Sequence, residues 1–384
     1  MRNWRAGEES GHDHFFATFD KFSLTTHNHV PESIASVVNR AAKEHVQYIE
    51  FMRTADGRAS AQLGAKLGWN DDFAKMRDQL LSGGLKEIVA ATSQTLTEEE
   101  SRAHSQLKCG SPEAEPACKV TVRYLYQVLR GLSPESVFAQ IVLGFELASS
   151  DPRFVGLNLV MPEDWYVPIH DFNQHMAMLD YLHGVYPKVH ITLHAGEIAE
   201  GLVKSEDLSF HIRASVERGH AERIGHGVSI MLEKDPIGLM KEMASRNVLV
   251  EINLTSNDEI LEISGEDHPL PVYMKYGVPV ALSSDDEGVA RSDMTHEYFR
   301  AVESYHLPYV EMKRMTRQSV EHSFLPGHSL WSETKGSFKP VAACTSDLGK
   351  DKPSSGCTKF LDANERAREQ WKLEAAFWEF EKNF

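Results

Sequence analysis

The sequence of 384 residues has no long apolar run, few cysteines and a deficit of positive charge. No stretch approaches the roughly 20 apolar residues that a membrane-spanning helix needs, and the start, MRNWRAGEESGHDH, lacks the apolar core of an export signal. The 56 acidic residues outnumber the 40 basic ones, and the formal net charge of -16 repels nucleic-acid phosphates and anionic membrane surfaces. We therefore expect neither nucleic acid nor a membrane as a partner, and the composition favours no particular oligomeric state.

The four cysteines form two local pairs, Cys109 with Cys118 and Cys344 with Cys357, each within a polar stretch. Closely spaced cysteines in exposed segments are typical of small-loop disulfides, which persist in oxidising compartments. The pairs predict a periplasmic or secreted protein whose export signal lies upstream of Met1. The alternative is a cytoplasmic protein with four free thiols, which the missing signal favours.

Short apolar runs rich in β-branched residues alternate with amphipathic stretches along the chain. The seven predicted strands are residues 46–52, 136–147, 154–160, 188–197, 223–230, 247–254 and 278–286. Apolar strands separated by helices are typical of a parallel sheet covered by helices. Polar residues such as His194, His226 and Asp285 collect at the carboxyl ends of these runs, where a (β/α)8 barrel carries its active site. We predict a TIM-type (β/α)8 barrel with its first strand missing; a doubly wound open sheet is the alternative.

Two segments interrupt this alternation. Residues 92–119 are acidic and contain the first cysteine pair, and residues 327–359 contain the second pair and are rich in Ser, Lys and Gly. Neither has enough apolar residues to form a core, so both are predicted to be surface insertions. We therefore expect a single hydrolase domain that covers residues 1–384.

Three strand endings combine groups that suit metal-assisted hydrolysis. LHAGE contains His194 and Glu197, RIGHG contains His226, and ALSSDDE contains Asp285 and Asp286. A metal-bound histidine beside a proton-carrying carboxylate suits hydrolysis, because the cation lowers the pKa of its bound water to about 7. Taken singly, each residue also fits a core histidine or a helix N-cap. Their succession at three strand ends favours a catalytic site.

The motifs HAGE, RIGHG and SSDD, with VEINLTSND among them, resemble the adenosine deaminase family of zinc-dependent barrel hydrolases, in particular its larger bacterial members. The resemblance extends from residue 15 to about residue 330. It implies a Zn2+ site with His194 and Asp285 as ligands, Glu197 as the acid that protonates the purine N1, and His226 as the group that orients and deprotonates the water. Asp286 would bind the substrate.

The reaction implied by the resemblance is attack of activated water on C6 of adenosine, with deoxyadenosine as a further substrate. The products would be inosine and ammonia, as in purine nucleoside catabolism and salvage. The segment FFATFDKF places four phenylalanines on one helical face, similar to the family's helix over the sugar side of the pocket. Phe16 and Phe19 are therefore predicted to contact the substrate, and a role in the hydrophobic core is an equal alternative.

The family takes two further zinc ligands from an HxH motif at the end of its first strand. The triplets HDH at 12–14 and HNH at 27–29 adjoin predicted helices, so neither is expected to bind zinc. His194 and Asp285 alone fall short of the three protein ligands that a catalytic zinc site needs. We therefore expect the first strand to lie upstream of Met1, and this chain alone to bind zinc poorly and turn over adenosine slowly.

Two alternative functions remain open. In VGLNLVMPED, Met161 and Pro162 stand where the family often has a glycine whose amide meets the purine, which favours a deaminase of another aminopurine such as adenine or AMP. The second alternative function is that of an inactive nucleoside-binding homologue, although a protein that only binds nucleosides needs no proton shuttle such as Glu197. The P-C-x-x-C motif of cytidine deaminases and the HExxH motif of zinc proteases are absent.

Overall fold

The computed structural model describes residues 3–5, 7–348, 350 and 352–384. Backbone packing divides the chain into two compact units, Met1–Pro308 and Tyr309–Phe384. The single domain over residues 1–384 stays a prediction. Among the described residues, none of the helices has both the length and the apolar character required to cross a bilayer.

A parallel sheet forms the centre of the first unit, and its strands neighbour one another in chain order. The strands are β1 Tyr48–Arg53, β2 Thr121–Leu129, β3 Phe154–Val160, β4 His190–Ala195, β5 Arg223–His226, β6 Leu249–Ile252 and β7 Val280–Leu282. Among the described residues, β1 pairs only with β2 and β7 only with β6. Sequential parallel strands with helices between them are the arrangement of a TIM-type barrel. This confirms the predicted α/β class and the number of strands.

Helices connect the strands and cover the outer face of the sheet. Their bounds are α1 Gly11–Asn28, α2 Val30–Lys43, α3 Ala59–Leu67, α4 Phe73–Leu80, α5 Lys86–Gln106, α6 Pro134–Ser150, α7 Tyr166–His170, α8 Phe172–Val185, α9 His211–Glu217, α10 Pro236–Arg246, α11 Leu254–Leu261, α12 Leu270–Lys275, α13 Glu287–Ala290 and α14 Met294–Tyr305. The second unit contains α15 Tyr309–Glu321, the short strands β8 Trp331–Glu333 and β9 Lys339–Pro340, α16 Ser355–Ala363 and α17 Glu365–Glu381.

A buried ion pair shows that the sheet curls into part of a barrel. Arg223 of β5 donates from Nη2 to Oε2 of Glu50 in β1 at 2.6 Å, and from Nε to Oε1 of Glu251 in β6 at 2.7 Å. Strands β1 and β5 are four places apart, which is about 19 Å across a flat sheet at about 4.8 Å per strand. One arginine side chain cannot span that distance, so the inner faces of β1 and β5 must approach each other.

One predicted strand is wrong. Residues 136–147 lie in helix α6, and the strand that occupies this place in the sheet is β2, which the sequence reading missed. Helix α6 is buried around almost its whole circumference, so its sequence shows no helical periodicity and resembles a buried strand. Pro134 at its first turn was the signal for a helix start.

The predicted surface insertions contain the two predicted disulfides. Cys109–Cys118 and Cys344–Cys357 are both bonded, with Cα–Cα distances of 5.5 and 4.8 Å. The segment 92–119 begins as helix, because α5 continues to Gln106 and buries Leu96. The segment 327–359 includes residues 349 and 351, which lie outside the described residues. Two disulfides are compatible with an extracellular location.

Helix α1 contains the FFATFDKF segment. Its Phe15 is buried with Ile260 of α11 and Val289 of α13, and Phe16 and Phe19 pack against the same cluster. Helices α11 and α13 follow β6 and β7 directly, so α1 lies on the side of the sheet where these strands end. Phe16 and Phe19 therefore belong to a hydrophobic cluster, and their contact with substrate stays a prediction.

Candidate metal and active site

Three predicted site residues converge at the carboxyl end of the sheet. His194 lies near the end of β4, His226 is the last residue of β5, and Asp285 follows β7. One ligand atom from each lies within 4.8 Å of the other two. Because parallel strands end at the same edge of a sheet, residues far apart in sequence meet there. The site is the only group of this kind among the described residues.

The three side chains suit a divalent cation such as Zn2+. Ligand atoms around tetrahedral zinc lie about 3.4 Å apart, given bonds of about 2.1 Å, so binding would draw atoms that now lie within 4.8 Å of one another together by up to about 1.4 Å. Burial, and the neighbouring His226, lower the pKa of His194 to about 3. Its imidazole is therefore neutral at physiological pH and retains a lone pair for a metal.

Asn158 of β3 orients His194. Its Oδ1 lies 3.1 Å from the backbone nitrogen of His194 and 3.0 Å from Nδ1 of the ring. An amide oxygen only accepts hydrogen bonds, so Nδ1 carries the proton and Nε2 keeps the lone pair. A polar partner of this kind fixes the tautomer of a metal-binding histidine.

A hydrogen-bonded chain fixes the tautomer of His226. The amide of Leu270 donates to Nδ1 of His268, whose Nε2 donates to Oδ1 of Asn257 at 3.0 Å. Nδ2 of Asn257 then donates to Nδ1 of His226 at 2.8 Å. Neutral His226 therefore carries its proton on Nε2, the nitrogen that lies 4.0 Å from Oδ2 of Asp285. Burial lowers the pKa of His226 to about 4, which keeps the ring neutral.

Glu197 is buried beside this cluster, with Oε1 at 3.4 Å from Nδ1 of His226. Burial, together with the nearby carboxylates of Asp285 and Glu163, raises the pKa of Glu197 well above its usual value. Burial thus favours the protonated form of Glu197, which is the state required of a general acid. Asp286 lies next in the chain to Asp285 and is exposed, so it is accessible to a ligand.

Strand ends at the site use left-handed backbone at residues other than glycine. The φ angles are 70° at His226, 49° at Asp285 and 90° at Met161. Such conformations are disfavoured for residues with a Cβ and cluster at functional sites. Met161 therefore holds a conformation that is more readily adopted by glycine.

Several supporting residues escaped the sequence reading. Arg130, Asn158, Glu163 and Asn257 are buried and bond to site residues or to their main chain, and buried His268 bonds to Asn257. The signal available for Glu163 was its place directly after a fully buried strand. His268 had no informative spacing, because its partner Asn257 lies on another element.

The HDH and HNH triplets lie in or beside helices. His12 of α1 contacts Oδ1 of Asp164 through Nε2 at 3.0 Å, so the start of α1 is held to the loop that follows β3. Hydrogen bonds to Asp164 and Asp13 outweigh the effect of burial and raise the pKa of His12. His27 is in the last turn of α1, and His29 is the N-cap residue of α2.

Comparisons with known proteins identify the family of this chain. A family model described as adenosine deaminase matches residues 87–330, more than half of the chain. An adenosine deaminase from Salmonella typhi is 35% identical over 155 residues, which are 40% of this chain and 42% of that protein. One from Clostridium perfringens is 31% identical over 135 residues, which are 35% of this chain and 37% of that protein. The chain thus spans about two fifths of the length of these curated relatives.

Solved structures share the fold at low sequence identity. The N6-methyl-AMP deaminase from Arabidopsis thaliana gives a TM-score of 0.55 at 23% identity and covers 81% of this chain and 79% of that one. The adenine deaminase from Arthrobacter aurescens gives 0.50 at 19% identity, with 77% and 74% covered. An amidohydrolase from Burkholderia ambifaria with bound Zn gives 0.50 at 15% identity, with 90% and 76% covered. The family match confirms the resemblance that HAGE, RIGHG and SSDD indicated, and the chain belongs to the adenosine deaminase family.

Proposed function

We propose that this protein is a zinc-dependent hydrolase that converts adenosine, and also deoxyadenosine, to inosine or deoxyinosine and ammonia. The observation that supports this most is the meeting of His194, His226 and Asp285 beside the buried carboxyl group of Glu197, whose pKa burial raises. A metal site and a proton donor in one buried cluster suit hydrolysis at a ring carbon that bears an amino group.

His194 and Asp285 would hold the cation, which supplies Lewis acidity toward water when bound. Glu197 gives its proton to N1 of the purine as the water oxygen adds to C6. Of the two protons of that water, one restores the Glu197 carboxyl group and the other goes to the amino group, so the C6–amino bond breaks with loss of ammonia and C6 becomes a carbonyl carbon. Asp286, exposed at the same edge, accepts a hydrogen bond from the substrate.

His226 orients the attacking oxygen. Its Nε2 proton faces Asp285, so in this tautomer the ring donates a hydrogen bond toward the metal site. Removal of a proton from water by Nε2 requires the other tautomer, in which Asn257 no longer donates to Nδ1. The role of His226 as a base stays a prediction.

A deaminase of another aminopurine is the second candidate. Two residues support it: Met161, whose φ is 90°, and Pro162, which has no N–H. They stand where the family often has a glycine whose amide meets the purine base. A panel of adenosine, deoxyadenosine, adenine and AMP, followed by ammonia release, separates the two. Preference for adenine or AMP would overturn the assignment of adenosine.

The decisive experiment compares the chain with Glu197→Gln in the presence of added zinc. Glutamine keeps the size of the side chain and cannot donate an acidic proton, so we expect ammonia release to fall by about 100-fold or more. Zinc binding, measured by competition with a chelator, should change little. Equal turnover by both proteins would exclude the proposed mechanism.

We also place the protein in the periplasm or outside the cell. The two disulfides support this location, because cytoplasmic thiols are kept reduced. Fractionation of the producing cells, followed by alkylation of free thiols and mass spectrometry, tests it. Four alkylated cysteines in a cytoplasmic fraction would refute it.

A further inference from the structure

The turn that carries both His194 and Glu197, residues 194–197, has little freedom to move. Gly196 has φ +79°, and a Cβ on it would lie 2.7 Å from the side chain of Ile212 in α9. The direction in which Glu197 points therefore depends on the path of the main chain through this turn. Any group that fixes that path also fixes the position of the proton on Glu197.

Glu163 holds one side of the turn with both of its carboxylate oxygens. Oε1 accepts the amide proton of Gly196 at 3.0 Å, and Oε2 accepts that of Glu197 at 2.8 Å. The Nδ1 atom of His211 donates to Oε1 as well. Glu163 is 1% exposed and His211 is fully buried. These three donors offset the free-energy cost of burying the Glu163 carboxylate, which would be high without hydrogen-bond partners.

The charge of Glu163 is kept by its surroundings. Burial acts to raise the pKa of Glu163, but His211, Arg130 and the amide of Gly196 outweigh it and lower the pKa to about 2. Glu163 therefore remains an acceptor for both amides throughout the physiological range. His194 has separate anchors, since Arg130 donates from Nη1 to its carbonyl oxygen at 3.1 Å and Asn158 bonds its ring.

We propose that Glu163 is a positioning residue for proton transfer by Glu197. It touches neither substrate nor metal, and it acts by fixing the main chain of Gly196 and Glu197 so that the Glu197 carboxyl group meets the ring nitrogen of the purine. This inference rests on the proposed function, which gives Glu197 the proton-transfer step. Because His194 is anchored independently, loss of Glu163 displaces the acid more than the metal ligand.

Glu233 provides a matched control. It is also a buried carboxylate, 4% exposed, whose Oε1 accepts two successive backbone amide protons, those of Ile212 at 2.7 Å and Arg213 at 3.3 Å. These amides begin helix α9 and lie outside the catalytic turn. Glu233→Gln thus neutralises a second buried carboxylate, and its remaining oxygen can still accept both amides, without touching Gly196 or Glu197.

The test compares Glu163→Gln with Glu233→Gln in the full chain. We expect Glu163→Gln to lower kcat for adenosine by about 10- to 100-fold, since displacement of a reacting group by 1 Å has about this effect. KM and zinc affinity should stay within about threefold. Hydrogen exchange should accelerate at the amides of residues 196 and 197. Glu233→Gln should keep kcat within about threefold and leave exchange at residues 196 and 197 unchanged.

Equal losses of kcat in the two variants, or unchanged exchange at residues 196 and 197, would overturn the inference. If Glu163→Gln does not fold, Glu163→Asp replaces it, because aspartate keeps the charge but is too short to reach both amides; full kcat in that variant would also overturn the inference. Preference for another aminopurine over adenosine would refute the proposed function alone, and the exchange comparison would still decide whether Glu163 fixes the turn.

Discussion

The ion pair that closes the curl of the sheet makes Arg223 the clearest test of the fold. Replacing Arg223 by Met keeps the apolar stem and removes the cation, which leaves Glu50 and Glu251 without their partner. The side chains of Arg223, Glu50 and Glu251 are only 8%, 9% and 21% exposed. Removal of one member of a buried ion pair costs about 3–5 kcal/mol, because the remaining charge stays desolvated.

Tyr48 and Thr192 still donate to Glu50 and Glu251, at 2.7 and 3.1 Å, and so limit the loss. We therefore expect Arg223→Met to lower the free energy of unfolding by about 3 kcal/mol, at the lower end of that range. Total stability is typically about 5–15 kcal/mol, so the shift should be obvious. Urea unfolding followed by circular dichroism, with the midpoint and slope fitted separately, measures it.

An exposed pair serves as the control. Lys204 and Glu206 are 80% and 76% exposed and 3.9 Å apart, so Lys204→Met should change the unfolding midpoint little. The triple variant Arg223→Met, Glu50→Gln, Glu251→Gln should regain much of the lost stability, because it removes the unpaired charges as well. A loss below about 1 kcal/mol for Arg223→Met, or no recovery in the triple variant, would refute the reasoning.

Three further predictions concern the site and the disulfides. The pKa of Glu163 is about 2 in the folded protein and about 4.3 in the unfolded chain, so the ionised group stabilises the fold by about 3 kcal/mol. This stabilisation is complete above about pH 4.3 and is lost as the pH falls through about 2. Acid unfolding of Glu163→Gln should lack this pH dependence, and identical unfolding profiles of the two proteins would contradict the prediction. Asn158→Ala should weaken zinc binding about 10- to 100-fold by freeing the His194 ring, as a chelator competition measures; unchanged affinity would exclude this orienting role. The disulfide Cys109–Cys118 joins residues 9 positions apart and reduces the conformational entropy of the unfolded chain. Its removal should lower the free energy of unfolding by about 2–3 kcal/mol. An unshifted thermal midpoint in the variant Cys109→Ser, Cys118→Ser would disprove this.

The positions of the strand ends explain why much of the candidate site could be predicted from one sequence. His194, His226 and Asp285 each follow an apolar run, and parallel strands bring their carboxyl ends together whatever the intervening loops do. The same local reasoning failed for residues 136–147, where an apolar helix buried on all sides has no periodicity to distinguish it from a strand. Strand β2 went unnoticed because polar residues such as Arg123 and Gln127 interrupt its apolar pattern.

The amino-acid sequence by itself determined the alternation of strands and helices, the two cysteine pairs and the residues that the family motifs carry, since all of these depend on near neighbours along the chain. Only the tertiary structure decided that Arg223 joins β5 to β1 across the inside of the curl, that Asn257 and His268 fix the tautomer of His226, and that Glu163 holds the amides beside Glu197. Each of these roles is a hydrogen bond or ion pair between segments distant in sequence. Such bonds exist only once packing has removed water and fixed the direction of each donor and acceptor.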